Sequence, residues 1–363
     1  MATLAPSPDR PEPDGHGSLT VAGYLSASTG LGAAARRLST GLRKAGLDPD
    51  EVDLTSALWQ GPASSASNVQ EGPGSIIVAV NGPMLPWALL VLGRRRLRGK
   101  RIIAHWNWEL PVLPSDWDRG FRACHAIWAP SHFAGAAFSR PGSPPVRICP
   151  HYVPQPDPAP LSRADFGLPE DAFVVLSVFD ATSSLARKNP LAAIEAHRVA
   201  FDDRPDRILV IKTHNTRSAG SAWQQVREAI SGRPNIRLLT DVIPRRDLWA
   251  LMLASDVLIS LHRAEGFGFT IAEAMAVGRA VIATGWSGNM DFMHGPGTYA
   301  VPYSLVPTYD PQETYAVGGA HWAEPDVGTA ASILRSLAQK PAHVPQARFP
   351  VPDYLNLLRY SSA

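Results

Sequence analysis

The chain has 363 residues, is 45% hydrophobic, and carries a formal net charge of +2 with a mean hydropathy of −0.07. That length predicts two domains, and the near-neutral charge gives no electrostatic case for a nucleic-acid partner. Cys124 and Cys149 admit one disulfide, but they form neither a disulfide framework nor a metal-type pair, which fits a reducing compartment.

The N-terminal "MATLAPSPDRPEPDGHGS" has no apolar core, so it is not a signal peptide. Its Pro, Asp and Ser content predicts a disordered leader over residues 1–17. "LTVAGYL" reads as the first strand. Leu31, Ala35, Leu38, Leu42 and Ala45 then follow at helical spacing. "MLPWALLVLG", from Met84 to Gly93, is far shorter than the ~20 residues of a membrane span. The "RRRLRGKR" after it reads as the cationic end of a packed helix, with a basic contact to anionic lipid as the functional alternative. "SIIVAV", "RIIAHW", "AIWAPS" and "VRICP" are strand candidates. Several are apolar throughout, as strands buried on both faces of a parallel sheet are.

Proline and polar residues crowd "PHYVPQPDPAPLSRADFGLPED", which reads as an interdomain linker. Strand–helix alternation then resumes with "FVVLSVF", "RILVIKT", "IRLLT", "VLISL", "AVIAT" and "YAVPY". The expected organisation is an N-terminal domain at 18–153, a linker at 154–170, a second domain at 171–340, and a tail at 341–363 with a return to the N-terminal domain open to it. The fold class is α/β: two doubly wound Rossmann-like domains facing an interdomain cleft.

Chemistry concentrates in "HRAEGFGFTIAEAMAVGRAVIAT", His262 to Thr284. Thr270 and Glu273 have capping-box spacing, which would account for Glu273 alone. It leaves Glu265 unexplained. Gly266 and Gly268 permit close backbone approach, and a helix start behind them offers amides to an anion. An acid, a glycine turn, phosphate-binding amides and a second acid suit a sugar nucleotide.

At these residues the chain resembles retaining glycosyltransferases of the two-Rossmann-domain (GT-B) type, nearest to glycosyltransferase family 4, the "group 1" transferases. The resemblance also rests on "GYLSASTGLGAAARRLSTGLRKAG", "HWNWELPVLPSDW", "IWAPSHFAGAAF", "FDATSSLARKNPLAAIEAHRVAF", "TGWSGNMDFM" and "HWAEPDVGTAASILRSL". Together these span most of residues 19–340.

The resemblance implies a transferase that moves a sugar from a nucleotide sugar to a glycan or lipid-linked acceptor, in surface-polysaccharide synthesis. It implies an acceptor role for the N-terminal domain and a donor role for the second. Glu265 would act at the reacting sugar. Gly266, Phe267 and Gly268 would hold the sugar through backbone amides, and Thr270 and Ile271 the diphosphate. Glu273 would accept from the ribose hydroxyls. Arg187 and Lys188, at a loop-to-helix junction, would neutralise the departing diphosphate. Lys212 divides between ligand contact and surface. The family often has an arginine after the preceding strand; here Phe179 and Asp180 stand there, which leaves either an incomplete phosphate clamp or Arg187 as the substitute. Gly30 and Gly32 form the glycine loop, with Ala33 where relatives often carry an acid. His105 and Glu109 are candidates for contact with donor or acceptor, against a satisfied histidine and a helix-start acid. Ser287, Asn289 and Asp291 divide between lining the donor pocket and local turn bonds.

Asp48/Asp50 and Asp116/Asp118 lack further oxygen ligands, so no metal and no cofactor are expected. The expected partners are a nucleotide sugar and its acceptor, with peripheral membrane contact at the inner face of a cytoplasmic location. The rival readings are a GT-B sugar-nucleotide epimerase, a non-catalytic nucleotide-sugar-binding protein, and a dinucleotide dehydrogenase. The absent third glycine and the acidic pair weigh against the last.

Overall fold

The computed structural model describes residues 5–59, 69–340 and 344–359. The chain divides into two compact units, residues 1–152 with 350–363, and residues 153–349.

The first unit holds β1 (Ser18–Gly23), α1 (Gly30–Lys44), β2 (Asp50–Asp53), α2 (Thr55–Trp59), β3 (Gly74–Ala79), α3 (Leu85–Leu92), α4 (Arg94–Leu97), β4 (Lys100–His105), α5 (Asp118–Phe121), β5 (Ala126–Ala129), α6 (His132–Phe138) and β6 (Val146–Ile148). Its six strands form one sheet in the order β2-β1-β3-β4-β5-β6, every pairing parallel. Parallel neighbours need crossovers, which these helices supply. Leu38 and Leu42 of α1 bury against Val21, Ile77 and Trp128.

The second unit holds β7 (Phe173–Asp180), α7 (Leu185–Lys188), α8 (Pro190–Phe201), β8 (Arg207–His214), α9 (Gly220–Ile230), β9 (Ile236–Leu239), α10 (Arg245–Ala254), β10 (Val257–Ser260), α11 (Phe269–Ala276), β11 (Ala280–Thr284), β12 (Thr298–Val301), β13 (Tyr303–Pro307), β14 (His321–Pro325) and α12 (Val327–Gln339). Its main sheet is again parallel, in the order β12-β11-β10-β7-β8-β9. β7 explains why its strands are apolar throughout. Phe173, Val175 and Phe179 enter one core, while Val174 and Leu176 enter another on the opposite face. β13 and β14 form a separate antiparallel pair. Both units are α/β, as expected.

Residues 5–17, expected as part of a disordered leader, make specific contacts instead. Glu12 pairs with Arg101 at 2.6 Å, Asp9 accepts from the Gly99 amide at 2.6 Å, and the Gly15 carbonyl accepts from Ser75 at 3.2 Å. The leader's acids find partners on the first unit, which composition cannot show. The basic run likewise breaks up. Gly93, at φ 82°, ends α3, while Lys100 and Arg101 are buried in β4, Lys100 donating to Ser18 at 2.7 Å.

The 154–170 segment belongs to the second unit. Arg163 fastens it by donating to the carbonyls of Ala172 and Ala254 and pairing with Asp256 at 3.0 Å. The tail from Pro350 groups with the first unit, where α13 (Tyr354–Arg359) buries Tyr354 near Trp128. Residues 1–4 of the leader, and 341–343 and 360–363 of the tail, lie outside the described residues. Both cysteines are free and buried, and burial pushes both thiols up. Among the described residues no helix is long and apolar enough to cross a membrane.

The two glycines that open α1 differ physically. A Cβ at Gly32 would collide with the Ala27 carbonyl oxygen and lie 2.8 Å from that of Tyr24, whereas nothing lies within 4 Å at Gly30. Gly32→Ala is therefore expected to cost about 1–3 kcal/mol and lower the melting temperature. Gly30→Ala should leave the melting temperature unchanged or slightly raised, and thermal denaturation of both variants checks the contrast.

Candidate functional site

The strand order of the second sheet reverses between β7 and β10: β8 and β9 lie beyond one, β11 and β12 beyond the other. Loops leaving two such strands diverge, and this is where open α/β sheets bind ligands. The loop after β7 leads into α7, and the loop after β10 carries Glu265.

α7 is a single turn that ends in Arg187 and Lys188, so the pair closes one helix rather than opening α8. Cations there suit the helix dipole. Ser184 starts the turn at φ 60°, and its hydroxyl accepts from the Arg187 amide at 3.1 Å. The same hydroxyl donates to buried Asp310 at 2.8 Å.

Both cations reach the expected catalytic acid. Lys188 Nζ is hydrogen-bonded to Glu265 Oε1, and Arg187 Nη1 lies 3.4 Å from the same oxygen. Arg187 Nη1 also donates to the Ala264 carbonyl at 2.9 Å. Burial pushes the Glu265 carboxyl up, but the charges of Lys188 and Arg187 overcome it and hold it at about 2. The Glu265 backbone is pinned by two bonds. Its amide donates to Ser287 Oγ at 2.9 Å, and its carbonyl accepts from the Gly288 amide at 2.8 Å. Asn289 donates to the Thr284 carbonyl at 3.0 Å. Ser287 and Asn289 thus stitch backbone in this structure. His262, beneath the loop, is fully buried, and burial lowers its pKa to about 4.

The capping box does not form. α11 starts at Phe269, one residue before Thr270, and its N-cap is Gly268 at φ 99°. Gly268 has no side chain to offer, so the amides at Thr270 and Ile271 receive no capping oxygen from it. A Cβ at Gly268 would lie 3.3 Å from Ile271 and 3.4 Å from Asn289, so both the turn and the packing favour glycine. The side chain of Phe267 packs with Val153, Ala272 and Ala276. Buried Glu273 is ion-paired with Arg245, the first residue of α10. Nothing local in the sequence links the two, which stand 28 residues apart.

Lys212 is spent internally. Its ammonium donates to the carbonyls of Thr213 at 3.0 Å and Asp241 at 2.8 Å, and burial lowers its pKa. Asp180 stands where the sequence resemblance leads one to expect an arginine. It receives bonds from Thr182 and Asn215, so Arg187 is the arginine that reaches Glu265.

The remaining candidates lie in the first unit. His105 ends β4, fully buried, and burial lowers its pKa to about 4. Its ring meets His151 edge-on at 5.2 Å, and among the described residues its Nδ1 has no partner. His151 in turn bonds Asn107 at 2.7 Å. Glu109 is half-buried in the loop after β4. Gly30 and Gly32 open α1, where Thr29 caps by accepting from the Gly32 amide at 3.3 Å. Among the described residues, no group of three or more His, Cys, Asp or Glu could hold a metal ion.

Arg263 and the β13–β14 pair went unnoticed in the sequence. Arg263 forms a bidentate pair with Glu324, its shortest contact 2.6 Å, and its backbone amide donates to the Arg187 carbonyl at 2.7 Å. Gln312 receives the Leu185 amide at 2.5 Å. Arg263 sits two residues before Glu265, so adjacency was a signal available; Asp310 and Gln312 gave none.

Glu265 ionises at about 2 instead of 4.5, so its ion pairs contribute stability that is complete above pH 4.5 and lost as pH falls through 2. Removing one partner of a buried pair costs about 3–5 kcal/mol. Lys188→Ala should therefore lower the melting temperature most above pH 4.5, with the gap to wild type closing toward pH 2. Melting curves across that range test this.

Residues 188–317 match the family model described as Glycosyl transferases group 1. No curated protein matches the sequence. Among solved structures, the chain is similar to sucrose-phosphate synthase from Thermosynechococcus elongatus, with TM-score 0.60 and 17% identity over 90% of this chain and 88% of that one. It is similar to a glycosyltransferase from Rickettsia africae, with TM-score 0.56 and 15% identity over 95% and 96%. The pneumococcal O-GlcNAc transferase GtfA, solved with UDP and GlcNAc, aligns at TM-score 0.50 and 14% identity over 74% of this chain. The chain spans about half of GtfA's length, 50%. At these identities the structural likeness is one of fold. Residues 188–317 thus match the group 1 glycosyl transferase model, and the fold is similar to that of the GT-B glycosyltransferases.

Proposed function

We propose that the protein is a retaining glycosyltransferase that takes a sugar from a nucleotide diphosphate donor. The observation carrying this reading is the convergence of Lys188 and Arg187 on Glu265 at the point where the strand order reverses. In this structure the acid neutralises the cations. A donor diphosphate brings stronger acceptors, takes the two cations, and leaves the carboxylate to bind a hydroxyl of the reacting sugar. The bond from the anomeric carbon to the phosphate oxygen then breaks as the acceptor oxygen bonds that carbon on the same face. The departing diphosphate takes the acceptor's proton. Cations stabilise the charge that develops on the leaving group, and Glu265 favours the positive charge at the anomeric carbon. Amides at Thr270 and Ile271 hold the diphosphate, and Glu273 accepts from the ribose.

The acceptor is a glycan or lipid-linked sugar of surface-polysaccharide synthesis, met in the cytoplasm; this rests on the sequence resemblance. UDP in the GtfA structure makes uridine nucleotides the first donors to test. A panel of nucleotide sugars, scored for hydrolysis and transfer with the product's anomeric configuration read by NMR, tests the reading. An inverted product, or no turnover of any donor, would overturn it.

Arg187 and Lys188 supply the charge that a divalent cation supplies elsewhere. Activity is therefore expected to survive excess chelator. Loss with EDTA and recovery with magnesium or manganese would show that the clamp is insufficient.

The two acids should separate kinetically. Glu265→Gln should lower kcat about 10²–10³-fold, more than it weakens the donor. Glu273→Gln should mainly raise the donor KM, because the ribose is unchanged in the reaction. Equal, purely KM-type defects would place both acids in binding alone.

A further inference from the structure

Buried Glu273 is ion-paired with a half-exposed side chain. The carboxylate-bearing side chain is 3% exposed, and its partner Arg245 is 42% exposed. Arg245 begins α10, and the following Arg246 turns to Asp157 at 3.2 Å, so only the first of the two arginines faces the acid. The loop that launches α10 is fixed from below, because Lys212 donates to the Asp241 carbonyl at 2.8 Å. Lys212 thus anchors the loop that leads to Arg245.

A guanidinium has five N–H donors in a rigid fork. Glu273 uses one face of it, and the rest of the half-exposed group is open to a second acceptor. A carboxylate only accepts hydrogen bonds; a guanidinium only donates them. Side by side they complement a hydroxyl, which does both, and a vicinal diol best of all.

We propose that Arg245 is a specificity-determining residue of the donor site, reading the ribose as a diol together with Glu273. Each ribose hydroxyl donates to the Glu273 carboxylate and accepts from the Arg245 fork. The site thereby selects ribonucleotides over their 2′-deoxy counterparts. This inference rests on the donor reading of the site.

The test is calorimetric titration of the full chain with UDP, GDP and ADP, each with its 2′-deoxy partner, and with inorganic pyrophosphate. Wild type should prefer the ribo form. Arg245→Ala should weaken the preferred ribonucleotide about ten- to a hundredfold, narrow the preference over the deoxy form, and leave pyrophosphate affinity unchanged. Arg245→Lys keeps a charge beside Glu273 but loses the fork. It should fold as wild type, with a matching melting temperature, and still lose most of the preference. Three results would overturn the inference: both variants keep the full ribose preference, Arg245→Ala weakens ribo and deoxy forms equally, or pyrophosphate affinity falls in parallel. If wild type binds neither nucleotides nor pyrophosphate, the donor reading itself fails.

Discussion

Two loops, whose Lys188 and Glu265 stand 77 residues apart in sequence, are held together by one buried charge cluster. Lys188 and Arg187, after β7, meet Glu265, after β10. Three ionised groups out of water are costly unless each is paired. The surrounding backbone is arranged so that they are. The Ala264 carbonyl takes an Arg187 donor, and Ser287 and Gly288 grip both sides of the Glu265 peptide. Displacing either loop would strand a charge, so the cluster fixes both loops.

The β13–β14 pair reinforces this cluster. Asp310 takes the Ser184 hydroxyl that caps α7, Gln312 takes the Leu185 amide, and Glu324 takes Arg263 in a fork. Tyr315 lies 5.3 Å from the Arg187 guanidinium. Apolar burial beneath the sheet sets where the strands go, whereas these polar bonds set where three side chains point. Lys212 and Arg245 repeat the scheme for Glu273, with a backbone carbonyl at one end and a carboxylate at the other.

Parts of this were readable in the chain. Strands buried on both faces show as unbroken apolar runs, so β3, β4, β7 and β10 stood out. β2 did not, because "DEVD" buries only Val52. Glu265, Arg187 and Lys188 were legible as residue types in a pattern; their mutual contact was not, because strand order decides it and strand order is not a local property. The capping box failed for a related reason. Thr270 and Glu273 have the right spacing, yet Gly268 starts the helix early and Arg245, from another helix, claims the acid. The leader misled because polar composition describes a free segment and says nothing of partners such as Arg101.

The matched 188–317 stretch and the physical body that contains it have different borders. It begins after β7, whose neighbours are β8 and β10, and ends between β13 and β14. A chain cut at those borders would keep Asp310 and discard Ser184; it would keep Arg263 and discard Glu324. Exchange of this unit between chains of the same fold would therefore need seams near 153 and 349, where whole partners travel together. Evolutionary shuffling faces the same rule: the transferable piece is bounded by its ion pairs and strand neighbours, not by the reach of its recognisable signature.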